Sequence, residues 1–554
     1  MCDIPSVCIR MLFLRYHNLT LIVAVGRMGG TNMVMAMQIP QMVKRNAVVM
    51  PYRPASVFAG RQRSWRQFEE RIARLAGGLH ARDIGPEDRV AMLALNSDRY
   101  LEYFFTTNWA GAAFVPVNIR LAPPEVEYWL ADSASKMLLV DDTFLPVLEH
   151  LKGKLPELKE LVYVGDGKTP EGMVNFDDLA QAPAVEMSNR GGDDLAGLFY
   201  TGGTTGVSKG VMLSHGNLVF NALVMANHLE LRGELTYLHA APMFHLADGA
   251  GTFATALCGG CNTYVPAFDP VTVMERIQAD KVTNALMVPV MINMLINHPD
   301  VANYDLSTLR SVAYGASPMP EAVLQRAMEL LPSARFFQGY GQTETAPLLT
   351  VLPPERHVSD GPLAGKMKSV GQPCVGMDVR ILDDEGQEVE RGTVGEICVQ
   401  GPNVMLGYWN KPELTAQTWR HGWHHTGDGG YMDEDGYIFI VDRMKDMIIS
   451  GGENVYSAEV ENAIYRHDAV IECAVIGVPD DDWGERVHAI VRLHEQAEAG
   501  VQEIIDHCHA LIANYKCPRS VDFVTEPMPL SGAGKILKTE LRKPFWEGQE
   551  KQVH

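Results

Sequence analysis

A change of periodicity partway along the chain restricts its fold more than any other feature. From Ser64 to about residue 370, strand-like apolar runs alternate with helix-like segments, and beyond that short strands are separated by Asp/Gly turns. Ser64 suits the cap of a helix that carries Phe68, Ile72, Leu75 and Leu79 on one face and ends near Gly85. Residues 89–95 then read as a buried strand, with Asn96 or Ser97 placed to cap the next helix. The alternation returns at 282–287 and 311–314, which predicts parallel α/β layers. The later strands, at 379–382, 395–400 and 437–441, are split by turns such as Asp384-Glu385-Gly386 and suit a small antiparallel barrel or sheet. A last texture follows: a helix at 457–466, strands at 472–478 and 487–493, and a helix at 501–514.

Length and charge narrow the class. A single core stops growing near ~250–300 residues, so 554 residues at 46% hydrophobic imply at least two domains. The net charge of −21 repels phosphate backbones and excludes a nucleic-acid scaffold, so an anionic ligand must meet a local cluster of donors. Nine cysteines scattered along the chain argue against a disulfide framework and for a reducing, cytoplasmic location. No run reaches the ~18 apolar residues of a membrane-spanning helix, so no integral membrane segment is expected. Leu19–Val25 follows Arg10 and Arg15 and faintly imitates a signal sequence, yet its apolar stretch is short and lacks a small-residue cleavage site. With Met28, Met33, Met35 and Met37 as alternative starts, an unstructured or mis-assigned extension is expected there.

Three glycine-rich stretches carry the chemistry. The first, Tyr200-Thr201-Gly202-Gly203-Thr204-Thr205-Gly206-Val207-Ser208-Lys209-Gly210, lies between two strand-like runs. Its glycines expose backbone N–H groups, and its hydroxyls and lysine add donors, so it can wrap a polyphosphate. A strand rather than a helix follows, so it is not the ordinary P-loop. The second, Gln338-Gly339-Tyr340-Gly341-Gln342-Thr343-Glu344-Thr345, sets a ring between glycines to stack on a base, then a hydroxyl and a carboxylate for phosphate and metal. Gly315-Ala316-Ser317 suits a nucleotide-lining turn. In the third, from Trp423 to Asn454, Asp428 in a turn can accept hydrogen bonds from a ribose diol, with Arg443 in support. His424 and His425 are adjacent and point apart, which predicts no zinc site. Cys258-Gly259-Gly260-Cys261 reads as a helix-to-strand turn, and Asp480-Asp481-Asp482 as a solvated hairpin tip.

Together, and with Pro529-Leu530-Ser531-Gly532-Ala533-Gly534-Lys535, these motifs resemble the adenylate-forming (AMP-binding) superfamily over residues 50 to 545, most closely its acyl-CoA synthetase or fatty acyl-CoA ligase branch. Gly202 and Ser208 depart from the Ser and Pro common among relatives. The resemblance implies a large N-terminal α/β domain with parallel sheets plus a small barrel-like subdomain (41–442), a hinge (443–446) and a small mobile α+β domain (447–554), after an extension (1–40). It implies adenylation of a carboxylic acid by ATP with Mg²⁺, then transfer of the acyl group to CoA. The expected acid is a medium- or long-chain fatty acid; the alternative is an aryl or other specialised acid, or delivery to a carrier-protein thiol. A nucleotide-driven P-loop-like ATPase is a rival of another class, separated by release of ADP rather than AMP. Acid, ATP and CoA are the expected partners, with a homodimer as the expected assembly.

By resemblance, Thr201, Gly202, Gly203, Thr204, Thr205, Gly206 and Lys209 hold the β/γ-phosphates, Thr343 the α-phosphate, and Glu344 the Mg²⁺. Gln338, Gly339, Tyr340, Gly341 and Gly315-Ala316-Ser317 line the adenine, and Asp428 and Arg443 hold the ribose. Lys535 bridges carboxylate and α-phosphate, and Lys445 is the hinge. Ser450, Gly451, Gly452 and Glu453 flank the pantetheine tunnel, with Trp483, Tyr515 and Arg519 toward the CoA nucleotide. His245 gates an acyl pocket formed with Phe244 and Met287, where Gly249 and Gly251 leave room for a chain.

Overall fold

The computed structural model describes residues 10–16, 19–25, 36–201, 208–317, 319–358, 360–361, 364–443, 447–450, 453–480, 483–531 and 535–547, with backbone alone for 10–25, 442–443, 449 and 453–454. Met1–Ala36 and Met37–His554 are two compact units. In the first, Arg10–Tyr16 pairs antiparallel with Leu19–Val25 from Arg10↔Val25 to Tyr16↔Leu19, so a hairpin stands where no regular structure was expected. The reason lies in Leu19–Val25 itself, whose Thr20, Ile22, Val23 and Val25 are β-branched strand formers.

The second unit is built on two large sheets. The eight-stranded sheet carries a parallel run through Ala113–Pro116, Arg89–Leu93, Met137–Val140 and Glu160–Tyr163, and ends on the antiparallel pair Leu195–Thr201 and Lys209–Ser214 with Gly407–Tyr408 outermost. The nine-stranded sheet is parallel through Thr236–His239, Asn284–Leu286, Ser311–Gly315 and Arg335–Gly341. This is the layered α/β architecture that the alternation implied. Asp98–Trp109 is a helix buried on every side that touches strands of both sheets. Its aromatic face joins them: Phe104 sits 4.9 Å from Phe114 and 5.6 Å from Phe253 between ring centroids. Its buried acids are paired, Asp98 with Arg61 and Arg63 at 2.9 and 2.8 Å and Glu102 with Arg71 at 2.7 Å, which a dry helix requires.

The Ser64 cap forms as expected, a capping box with Gln67 that starts Trp65–His80 and buries Phe68, Ile72, Leu75 and Leu79; the helix ends five residues short of Gly85. Ser97 precedes Asp98–Trp109 without a side-chain cap, and Asn96 instead donates to the His239 and Ala241 carbonyls. The helix Leu246–Cys258 closes on Gly259 at φ 68°, and Cys261 opens the next strand, so the Cys-Gly-Gly-Cys run is the expected turn.

Asp378–Leu382, Gly395–Gln400, Trp419–Arg420, Trp423–Met432 and Ile438–Arg443 form a five-stranded antiparallel sheet. Ile448–Ser450 already belongs to another sheet, with Glu453–Val455, Gly484–Leu493, Val470–Asp480 and Ser520–Phe523, on which Ser457–Ile464 packs. The helix expected at 501–514 is shorter, Val501–His509. Among the described residues, no helix is long and apolar enough to cross a membrane.

Candidate active site

Thr201 and Lys209 face each other in register at the ends of an antiparallel strand pair. The loop between them, Gly202, Gly203, Thr204, Thr205 and Gly206, lies outside the described residues. The Thr201 hydroxyl is buried with no hydrogen-bond partner among the described residues. Lys209 Nζ donates to the Tyr408 hydroxyl at 2.7 Å and lies 3.5 Å from Glu344 Oε1, while Tyr408 donates to the same oxygen at 2.8 Å. Tyr408 reaches this point because Gly407–Tyr408 pairs with the strand that Lys209 begins. Its phenol is pushed far up by burial and by the Glu344 charge, so it stays a donor.

Glu344 sits in a short turn, Thr343–Thr345, that follows Arg335–Gly341. Asn403 fastens that turn by donating to the Thr345 and Leu348 carbonyls at 2.6 and 3.0 Å. Asp428 lies opposite, on a strand rather than in the turn expected for it, and its cross-strand partner is Arg443. Asp428 Oδ2 accepts from the Tyr340 hydroxyl at 2.8 Å and from Gln342 Nε2 at 2.9 Å. Tyr340's ring is largely buried against Leu349 and Val370 rather than standing free between its glycines. Gly315 and Gly339 are register partners, and a Cβ at Gly315 would meet the Gly339 carbonyl at 2.1 Å, so bare backbone forms this part of the cleft. Ala316 and Ser317 continue from it, Ala316 with φ 65°.

His245 caps the helix Leu246–Cys258, its Nδ1 accepting from Ala247 N at 3.2 Å, which leaves Nε2 the proton-bearing nitrogen. Burial, and then the nearby Lys535 ammonium, push its pKa down to about 3, so the ring is neutral. The Lys535 ammonium thus acts on the His245 ring electrostatically. Met287 is fully buried in a hydrophobic cluster with Val288, Met291 and Val312. The glycines do not leave room, since a Cβ at Gly249 would meet the Met243 carbonyl at 2.8 Å and one at Gly251 the Tyr237 hydroxyl at 2.5 Å. Both let the helix press onto its neighbours. Phe244 is largely buried beside them.

The expected CoA residues divide. Arg519 stacks on Trp483 at 3.9 Å from the ring centroid, and Tyr515 has Lys516 over its ring at 5.6 Å. Ser450 is buried with its hydroxyl unpartnered among the described residues, and it pairs with Glu453 in register. Gly451, Gly452 and Lys445 lie outside the described residues, as do the side chains of Glu453 and Arg443. The absence of a metal cluster, inferred from His424 and His425, needs amendment. Glu396, Cys398 and His425 bring their ligand atoms within 4.8 Å of one another. Arg420 already places a guanidinium 3.1 Å from Glu396 and 3.0 Å from His425 there. His424 turns the other way and is buried with both ring nitrogens unpartnered among the described residues, its pKa pushed down to about 4 by burial.

Tyr408, Asn403 and Gln342 escaped the sequence reading. Gln342 stood inside a quoted motif, whereas Tyr408 and Asn403 had no local signal.

The model of the AMP-binding enzyme family matches residues 43–409, and that of the AMP-binding enzyme C-terminal domain matches 459–535. The chain belongs to the AMP-binding enzyme family. The family member described here is 40% identical to a feruloyl-CoA synthase of Amycolatopsis sp over 503 residues, 90% of this chain and 98% of the relative. It is 35% identical to a long-chain-fatty-acid–CoA ligase of Mycobacterium tuberculosis over 507 residues, 91% and 98% of the two chains. Its fold matches the crystal structure of an anthranilate CoA ligase in complex with anthranoyl-AMP, with a TM-score of 0.85 and 28% identity over 92% of this chain and 98% of that one.

Proposed function

We propose that this AMP-binding enzyme, an ATP-dependent acid–CoA ligase, activates a compact aromatic acid of the hydroxycinnamate or benzoate kind. The Lys209–Tyr408–Glu344 cluster at the end of the glycine-rich strand pair carries the reading of an acid-activating site. A carboxylate oxygen attacks the α-phosphorus of ATP, the bond to the β-phosphate breaks, and pyrophosphate leaves with that electron pair. Both reactants are anions, so the step depends on neutralisation and alignment. Lys535 bridges the two, Thr343 addresses the α-phosphate, and Lys209 with the 201–206 loop holds the departing phosphates. Asp428, oriented by Tyr340 and Gln342, faces the ribose, with Arg443 across the strand pair; Gly315, Ala316, Ser317, Gln338 and Gly339 flank the base.

Glu344 and Thr343 offer the hard oxygen donors that Mg²⁺ takes, and that ion, when bound, neutralises phosphate charge. In the second step the CoA sulfur forms a bond to the acyl carbon, the bond to AMP breaks, and the thiol proton passes to solvent. Rotation about Lys445 would withdraw Lys535 and present Ser450, Gly451, Gly452 and Glu453 to the arm, with Trp483, Arg519 and Tyr515 toward its nucleotide.

Tyr237 and the Met243 carbonyl press on Gly251 and Gly249 of the helix that His245 caps, and this close packing favours a short, flat acid. The similarity to a feruloyl-CoA synthase supports the same reading. A fatty acid is the second reading, favoured by the similarity to the long-chain ligase. Release of AMP, dependent on CoA, measured across ferulate, coumarate, benzoate, anthranilate and C6 to C16 fatty acids tests the choice. Highest turnover with an aromatic acid is expected; highest turnover with C12 to C16 acids selects the second reading, and ADP as the product contradicts both.

A further inference from the structure

Arg120 lies in the loop between the strand Ala113–Pro116 and the helix Pro123–Asp132, its backbone N–H tied to Asn118 Oδ1 at 2.9 Å. Its Nη1 donates to the Ser531 carbonyl at 2.6 Å and the Leu530 carbonyl at 3.4 Å, some 410 residues along the chain. Those two carbonyls open the loop that ends at Lys535. The described ends of that loop are tied to each other: Ser531 N donates to the Lys535 carbonyl at 2.7 Å, Lys535 N to Ser531 Oγ at 3.1 Å, and Leu530 bridges Ile536. A push on Ser531 is therefore transmitted to Lys535. Among the described residues, Asn293 Nδ2 also donates to the Ile471 carbonyl at 3.2 Å and Arg466 to Glu321 at 3.0 Å, and neither contact touches the loop. No carboxylate among the described residues pairs with Arg120, and Nη1 is the nitrogen that meets the Ser531 and Leu530 carbonyls.

We propose that Arg120 is a positioning residue that seats the Lys535 loop in the cleft for the first half-reaction. It touches no reacting atom and acts only through Lys535. The inference rests on the reading of Lys535 given above. Pyrophosphate exchange is measured for the wild type, Arg120→Ala, Arg120→Lys, Lys535→Ala and the Arg120→Ala/Lys535→Ala pair, with the acid of highest wild-type turnover. Arg120→Ala should lose about five- to tenfold, and Arg120→Lys, which keeps a donor, less. In the Lys535→Ala background the same change should cost less than about twofold, since the group it positions is gone. Hydrogen exchange of residues 529–537 should quicken in Arg120→Ala and not in Arg466→Ala. An equal loss in both backgrounds, or unchanged exchange at 529–537, overturns the proposal. An inactive wild type overturns the functional reading instead.

Discussion

Lys209 and Glu344 stand 3.5 Å apart, and the hydroxyl of Tyr408 joins them, accepting from one and donating to the other. The cation and the carboxylate are thus held at one point. Tyr408→Phe keeps the ring under Lys209, 4.1 Å from its centroid, and removes only the bridge. The variant should lose about tenfold in kcat/KM for ATP, near 1.4 kcal/mol, with the melting temperature within about 3 °C of the wild type. A loss below about twofold would show that the bridge does not organise the phosphate side.

Asp428 uses one oxygen for two donors, Tyr340 and Gln342. Asp428→Asn can keep both donors on its carbonyl oxygen, but it turns an NH₂ toward the place of the sugar. KM for ATP should rise about tenfold while KM for the acid changes little. Steady-state kinetics with each substrate varied in turn checks this, and parallel rises in both constants would contradict it.

Buried histidines set the acid side of stability. Burial pushes His357 down to about 4, where its Nδ1 donates to the Pro353 carbonyl at 3.0 Å and its ring lies 2.9 Å from the Tyr314 hydroxyl. An unfolded histidine binds its proton near 6.5, so between pH 6.5 and 4 the unfolded state holds more protons. Its contribution is complete above 6.5 and declines as pH falls through that window. From pH 6.5 to 5 the loss from this one residue is about 2 kcal/mol. Urea titrations at the two pH values should give a smaller drop for His357→Asn than for the wild type, and an equal drop would remove the assignment.

The helix Asp98–Trp109 couples the two large sheets, and Phe104 is its fully buried centre. Phe104→Ala should cost about 3–5 kcal/mol by leaving a cavity between Phe114 and Phe253, read from denaturant midpoints. A cost near 1 kcal/mol would mean that the neighbouring rings close over the gap.

Features written into neighbouring residues were legible in the sequence. The Ser64 cap, the Gly395–Gln400 strand and the turn at Gly259 each follow from a few adjacent side chains and their backbone preferences. Lys535 and Glu344 came from the resemblance, and the structure sets Glu344 beside Lys209 and Tyr408. What a side chain meets across the fold was hidden. Gly249 and Gly251 look like empty space in the sequence, but Met243 and Tyr237, brought in from the preceding strand and loop, stand there. Met287 looks like a wall residue and is sealed by Met291 and Val312. Tyr408 meets Lys209 across 199 positions, a contact set by strand pairing and not by spacing.

The central claim is that Lys535 serves only the first half-reaction, and the Lys535→Ala variant tests it most directly. Acyl-adenylate formation and conversion of supplied acyl-adenylate with CoA should be timed separately in that variant. The account predicts that adenylate formation falls by at least about a hundredfold while thioester formation proceeds at close to the wild-type rate. Equal loss of both, in a protein that melts like the wild type, would contradict it.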